Sequence, residues 1–224
     1  MPMPAKLVMF DLDGTLVDSV PDLAQAINTM LVQLQRQPVS EACVAQWVGN
    51  GAQVLVRRAL AGGLEHAAVD EALAADALAL FLAAYADNHH LTRVYPGVLE
   101  CLQALKAQAM PMALITNKPE AFVAPLLTEV GLDGFFTWII GGGATKPKPD
   151  PAALFYVMQM AQVETTDAVF VGDSCNDIQA AKAAGVYSVG MRYGYNHGRP
   201  IELEEPDQVL DNLADLLPLL GLLR

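Results

Sequence analysis

Two aspartates one residue apart, Asp11 and Asp13, leave the first apolar run of the chain in the string Asp11-Leu12-Asp13-Gly14-Thr15. Carboxylates at i and i+2 beyond a strand end can converge on one hard cation through oxygen ligands. Gly14 permits a tight turn there, and Thr15 offers a hydroxyl beside it. The same residue types also make ordinary strand-to-loop turns, so the motif gains its weight from three others. Thr116-Asn117-Lys118 follows the apolar pair Leu114-Ile115 and supplies a hydroxyl, an amide and helix-start N–H groups able to hold phosphate oxygens. Lys146 follows a third apolar run inside Lys146-Pro147-Lys148-Pro149-Asp150-Pro151, where prolines stiffen the loop and fix where an ammonium points. Gly172-Asp173-Ser174-Cys175-Asn176-Asp177 follows a fourth and adds two carboxylates before a helix. Metal-assisted phosphoryl transfer needs such a set: a nucleophile, a magnesium ion and compensation of charge on the equatorial oxygens.

The elements that must position these residues are legible as alternating patterns. Residues 7–10, 112–115, 138–140, 168–171 and 188–191 are short continuous apolar runs, as strands buried on both faces of a parallel sheet require. Helix-length stretches at 120–130, 151–161 and 178–184 separate them, with Gly131 and Gly185 at the expected C-caps. The pattern predicts an α/β fold with a doubly wound parallel-sheet core. Between the first strand and Pro96-Gly97 the pattern is helical throughout: 22–35, 40–47, 52–61 and 69–89, broken by Gly49-Asn50-Gly51 and Gly62-Gly63. That block reads as a small all-helical cap domain, residues 20–94, inserted into a core of residues 1–19 and 95–224, with 94–97 as the return hinge. The leucine-rich end, 210–223, reads as a packing helix interrupted by Pro218.

At 224 residues the chain is long enough for one core plus a small insert. Its net charge of −12 argues against nucleic acid or an acidic membrane as partner. It also means that any phosphate site must carry local positive charge or a metal. The start of the chain lacks the pattern of a secretory signal, and no apolar run of about 18 residues exists. Cys43, Cys101 and Cys175 are odd in number and widely spaced, which suits a reducing cytoplasm better than a disulfide framework. His66, His89, His90 and His197 show no metal spacing and are expected at the surface.

Taken together, Asp-x-Asp-Gly-Thr, Thr-Asn-Lys, Lys-Pro-x-Pro and Gly-Asp-Ser-x-x-Asp resemble the haloacid dehalogenase superfamily. The stretches LDGTLVDS from Leu12, WVGNGA from Trp47, TNKPEAFVAPLL from Thr116, FVGDSCNDIQAAKAAG from Phe170 and YGYN from Tyr193 resemble the bacterial phosphoglycolate phosphatases more narrowly. The resemblance implies that Asp11 attacks phosphorus to form an aspartyl-phosphate, while Asp13 acts as acid and then base. It implies Mg²⁺ held by the Asp11 carboxylate, the Asp13 backbone carbonyl and Asp173, with Asp177 orienting the site from behind. Thr116 and Lys146 would clamp the phosphoryl group; Lys148 takes the variable place and reads as a solvated charge. The chain departs from the pattern in Gly141-Gly142-Gly143-Ala144-Thr145, where relatives carry an acidic residue and a longer loop. The helical insert would close over the site, with Asn50 and Gly51 as candidate substrate contacts, although a simple interhelical turn explains them equally.

The expected activity is hydrolysis of 2-phosphoglycolate by a monomer or homodimer. Asp13 argues against a dehalogenase, and the absence of lysine between Lys6 and Lys106 argues against a phosphonate-cleaving relative. A sugar-phosphate phosphatase or mutase, a pyrophosphatase, and a non-catalytic scaffold remain open at this level.

Overall fold

The computed structural model describes residues 5–86 and 90–222. The expectations for residues 1–4 and for His89 fall outside this range. Six strands form one parallel sheet in the order β5-β4-β1-β6-β7-β8. They are β1 (Leu7–Phe10), β4 (Met112–Pro119), β5 (Trp138–Gly142), β6 (Ala168–Gly172), β7 (Tyr187–Met191) and β8 (Gln208–Leu210). The continuous apolar run of β1 has a direct cause. Val8 and Phe10 enter the core on one face of the sheet, while Leu7 and Met9 enter the core on the other. Each such fully buried side chain contributes about 1.5–3 kcal/mol relative to exposure.

Helices α5 (Val98–Ala107), α6 (Val123–Glu129) and α9 (Leu216–Leu219) supply residues to the first of these cores. Helices α7 (Ala152–Ala161) and α8 (Cys175–Ala184) supply the second. The doubly wound arrangement is therefore the expected one. Register then places the chemistry. Phe10 pairs with Leu114 on one side and Val171 on the other. Asp11 and Asp173 thus emerge just beyond the carboxyl ends of β1 and β6, with Thr116 alongside them in β4.

The segment after β1 carries α1 (Val20–Gln33), α2 (Glu41–Trp47), α3 (Ala52–Ala61) and α4 (Glu71–Ala86). These helices enclose a hydrophobic cluster of their own, including Ile27, Met30, Trp47, Leu55, Phe81 and Tyr85. An antiparallel ribbon of β2 (Val17–Asp18) and β3 (Arg93–Val94), with Val17 opposite Val94, closes the two ends of the block.

Several boundaries differ from those expected. The ribbon was not predicted, because two residues per strand are too few to show a period. β4 continues through Thr116-Asn117-Lys118, so these residues are extended rather than at a helix start; a 3-10 turn at Glu120–Phe122 precedes α6. Helix α8 begins at Cys175, three residues early, because Ser174 and Asp177 form a reciprocal capping box. The expected C-terminal helix resolves into β8 and the single turn α9.

Candidate functional site

Asp11, Asp173 and Asp177 each place a carboxylate oxygen within 4.8 Å of the others, and all three are buried. Asp173 Oδ1 accepts from the Thr15 hydroxyl at 2.8 Å, and Oδ2 accepts from the Tyr195 amide at 2.8 Å. Space for this side chain is made by two glycines. A Cβ on Gly14, whose φ of +93° already disfavours other residues, would stand 2.3 Å from Asp173 Oδ2. A Cβ on Gly194 would stand 2.1 Å from Asp173 Cβ. Asp177 is the capping residue at the start of α8. Its Oδ2 accepts from the Ser174 hydroxyl at 2.7 Å and the Ser174 amide at 3.0 Å.

The cation among these acids is Lys148. Its Nζ lies 2.7 Å from Asp11 Oδ1 and 2.6 Å from Asp177 Oδ1, and donates to the Ile115 carbonyl at 2.9 Å. Lys146, the lysine expected at the phosphoryl group, has a side chain 79% exposed and pairs with Asp150 at 3.8 Å. The expectation is corrected: Lys148 takes the place assigned to Lys146. The string Lys-Pro-x-Pro reads twice here, from Lys146 and from Lys148, and the loop path buries the second. Gly141 and Gly142 of the glycine run belong to β5, and the loop that follows still brings Lys148 to Asp11.

Three carboxylates around one ammonium leave two negative charges without compensation. Burial, reinforced by Asp177 and opposed by Lys148, pushes the Asp11 carboxyl up to about 7. Burial and then the neighbouring Asp177 and Asp11 push Asp173 well above the usual carboxylate range. A divalent cation between Asp11 and Asp173 would cancel that excess, and hard oxygen donors suit one. The donor set therefore fits a metal ion.

The Asp13 side chain stands apart from this cluster. Its Oδ1 accepts from the Ser19 hydroxyl at 2.5 Å and from Lys118 Nζ at 3.1 Å. Lys118 also donates to the Tyr85 hydroxyl on α4 at 2.6 Å. Burial alone would push the Lys118 ammonium down, but Asp13 and then Tyr85 outweigh it and hold it above the usual lysine range. Sequence reasoning missed Lys118, although it stands inside the quoted Thr-Asn-Lys string; its partner Tyr85 lies on a distant element. Thr15 and Tyr195 were likewise passed over as partners of Asp173.

Three further expectations are corrected. Asn117 does not point its amide at a ligand: Nδ2 donates to the Gly49 and Lys148 carbonyls, both at 3.0 Å, and Oδ1 accepts from the Lys148 amide at 2.9 Å. It ties the loop of Lys148 to the helical block. Asn50 donates to Asn176 Oδ1 at 3.0 Å and does not line the pocket, whereas Gly51 and Thr116 do. Asn176 in turn reaches the Gly49 carbonyl at 3.3 Å. His197 is not a simple surface residue, since its Nδ1 meets the Gln46 carbonyl at 2.9 Å. The pocket between strand ends and helical block encloses about 40 Å³, with Asp11 and Asp13 on its floor.

Residues 5–185 match the model of the haloacid dehalogenase-like hydrolases. The chain belongs to that family. This hydrolase is 63% identical over 214 residues to a phosphoglycolate phosphatase of Pseudomonas putida, covering 95% of this chain and 79% of that protein. It is 61% identical, with the same coverage, to phosphoglycolate phosphatase 1 of Pseudomonas aeruginosa. The crystal structure of a predicted phosphoglycolate phosphatase from Haemophilus somnus superposes with a TM-score of 0.90 at 42% identity, covering 96% of this chain and 97% of that one. No helix among the described residues of this hydrolase is long and apolar enough to cross a membrane.

Proposed function

We propose that this hydrolase is a magnesium-dependent phosphatase that converts 2-phosphoglycolate to glycolate and phosphate. The observation that carries the reading is the buried cluster of Asp11, Asp173 and Asp177 around Lys148, with its excess negative charge facing the pocket floor. The names of the two Pseudomonas relatives support the substrate.

Asp11 attacks phosphorus, the phosphorus–ester oxygen bond breaks, and the leaving alkoxide takes a proton from Asp13. Asp13 then removes a proton from water as its oxygen displaces Asp11 from the aspartyl-phosphate, releasing phosphate. Asp11, Asp173 and the Asp13 carbonyl would hold magnesium, which would supply positive charge to the phosphoryl oxygens. Lys148 adds a fixed positive charge beside Asp11, and Asp177 keeps that ammonium in place from beneath. Thr116, a buried residue of β4 that lines the pocket, supplies the remaining phosphoryl contact through its hydroxyl. Residues 20–94 act as a cap that keeps bulk water from the acyl phosphate. A reducing cytoplasmic setting belongs to the same reading, supported by the unbridged Cys43, Cys101 and Cys175.

Release of inorganic phosphate from a panel of phosphorylated metabolites, with and without Mg²⁺, tests the proposal. The expected result is magnesium-dependent release with 2-phosphoglycolate giving the highest kcat/KM. An isomerised sugar phosphate without release of phosphate would instead identify a mutase, and no turnover of any ester a scaffold.

A further inference from the structure

The wall of the pocket away from the acids is apolar, formed by Leu23, Val48, Leu55, Phe81 and Phe122. Among the lining residues the one cation is Lys118. Its side chain is 3% exposed, and its Nζ sits 3.1 Å from Asp13 Oδ1 and 2.6 Å from the Tyr85 hydroxyl. An ammonium carries three N–H donors. Here one carboxylate and one hydroxyl orient it, and it sits on the pocket wall within reach of whatever Asp13 protonates.

We infer that Lys118 is a specificity-determining residue that receives the carboxylate of the leaving group, so that the site selects phosphate esters of small 2-hydroxy acids. This rests on the phosphatase reading and on Asp13 facing the ester oxygen. In such an ester one carbon separates that oxygen from the carboxyl carbon, so the carboxylate oxygens lie about 3 Å from it. A group hydrogen-bonded to Asp13 therefore brings its carboxylate to the cation that Asp13 also holds. On the apolar wall the same carboxylate would be buried without a partner, at a large desolvation cost. Tyr85 fixes the ammonium from the helical block, so the lysine reads the leaving group only where block and sheet meet.

The test compares 2-phosphoglycolate with its carboxamide, which has nearly the same shape and no charge. Wild-type protein is expected to favour the acid by about 10- to 100-fold in kcat/KM, the range of one charge-assisted hydrogen bond. Lys118→Met should shrink that preference to within about threefold, with KM for the acid carrying most of the change. Lys118→Arg, which keeps a cation, should keep the acid preferred. Binding supplies a readout independent of turnover. In an Asp11→Asn background, adding Lys118→Met should weaken 2-phosphoglycolate at least about tenfold and the carboxamide less than about threefold.

Equal handling of acid and amide by the wild type would overturn the inference. So would equal losses for both ligands in Lys118→Met, since that pattern belongs to a residue that only positions Asp13. Should Lys118→Met not fold, the wild-type and Lys118→Arg comparisons decide. If another carboxylate-bearing ester outperforms 2-phosphoglycolate and loses that advantage with Lys118, the substrate reading falls while this inference stands.

Discussion

The two aspartates of the first loop end in opposite electrostatic settings. Asp11 shares Lys148 with Asp177 and has Asp173 beside it, an excess of anions in a buried space. Asp13 has Lys118 and the Ser19 hydroxyl, a balanced pair. The first setting lacks a positive charge that a divalent cation supplies; the second is complete within the chain. Two residues of separation thus suffice to give two identical side chains different chemistry, because the chain leaves β1 after Phe10 and bends at Leu12 between them.

The largest effect expected from breaking this contrast is in Asp11→Asn, which replaces the proposed nucleophile by an amide. Phosphate release should fall by roughly 10⁴-fold or more, measured with Mg²⁺ saturating. Retained turnover would remove the covalent mechanism and with it the special standing of Asp11.

Next in size, Lys148→Ala should lower kcat by about 10²- to 10³-fold and lower stability by about 3–5 kcal/mol, because Asp11 and Asp177 are left buried without a cation. Lys146→Ala should change the rate by less than about twofold and the unfolding free energy by less than about 0.5 kcal/mol. The reverse ranking of the two lysines in the same assays would restore Lys146 to the site.

Gly194→Ala tests the room around Asp173. The added methyl group has no place beside Asp173 Cβ, so the carboxylate must shift. Mg²⁺ affinity should weaken by about tenfold or more, read by titrating metal-dependent stabilisation against unfolding. Unchanged affinity would mean that Asp173 is not a ligand.

The smallest effect is a pH dependence confined to the Asp11 side. Its carboxyl is raised by burial from 3.8 to about 7, so its folded value stands above its unfolded one. The stability it contributes is whole below about pH 4 and is lost as pH rises through about 7. Without divalent cations, the melting temperature of wild type minus that of Asp11→Asn should therefore fall from pH 5 to pH 8, and Mg²⁺ should shrink the fall. A flat difference would contradict the account of the charge excess.

How far the sequence announced all this depends on what fixed each residue. Asp11, Asp13 and Asp173 were legible because each follows an apolar run, and register in a parallel sheet brings the ends of such runs together. Thr116 was legible for the same reason. Lys148 was not, because its motif fits the chain in two registers and only the three-dimensional path of a loop buries one lysine and exposes the other. Asn117 was legible as polar but not as saturated, since its partners come from the Gly49 turn and the Lys148 loop. The pairing of Lys118 with Tyr85 joins residues 33 positions apart, on elements whose packing no local period records. β8 escaped notice because its three residues are only half-buried, which leaves no apolar signature.

The carbonyl of Gly49 receives Asn117 from β4 and Asn176 from the first turn of α8. Because the accepting atom belongs to the peptide unit, this socket exists whatever side chains the four helices carry. Side chains on the four helices can thus change without redesigning the joint, and the two asparagines of the core are where that joint is open to mutation.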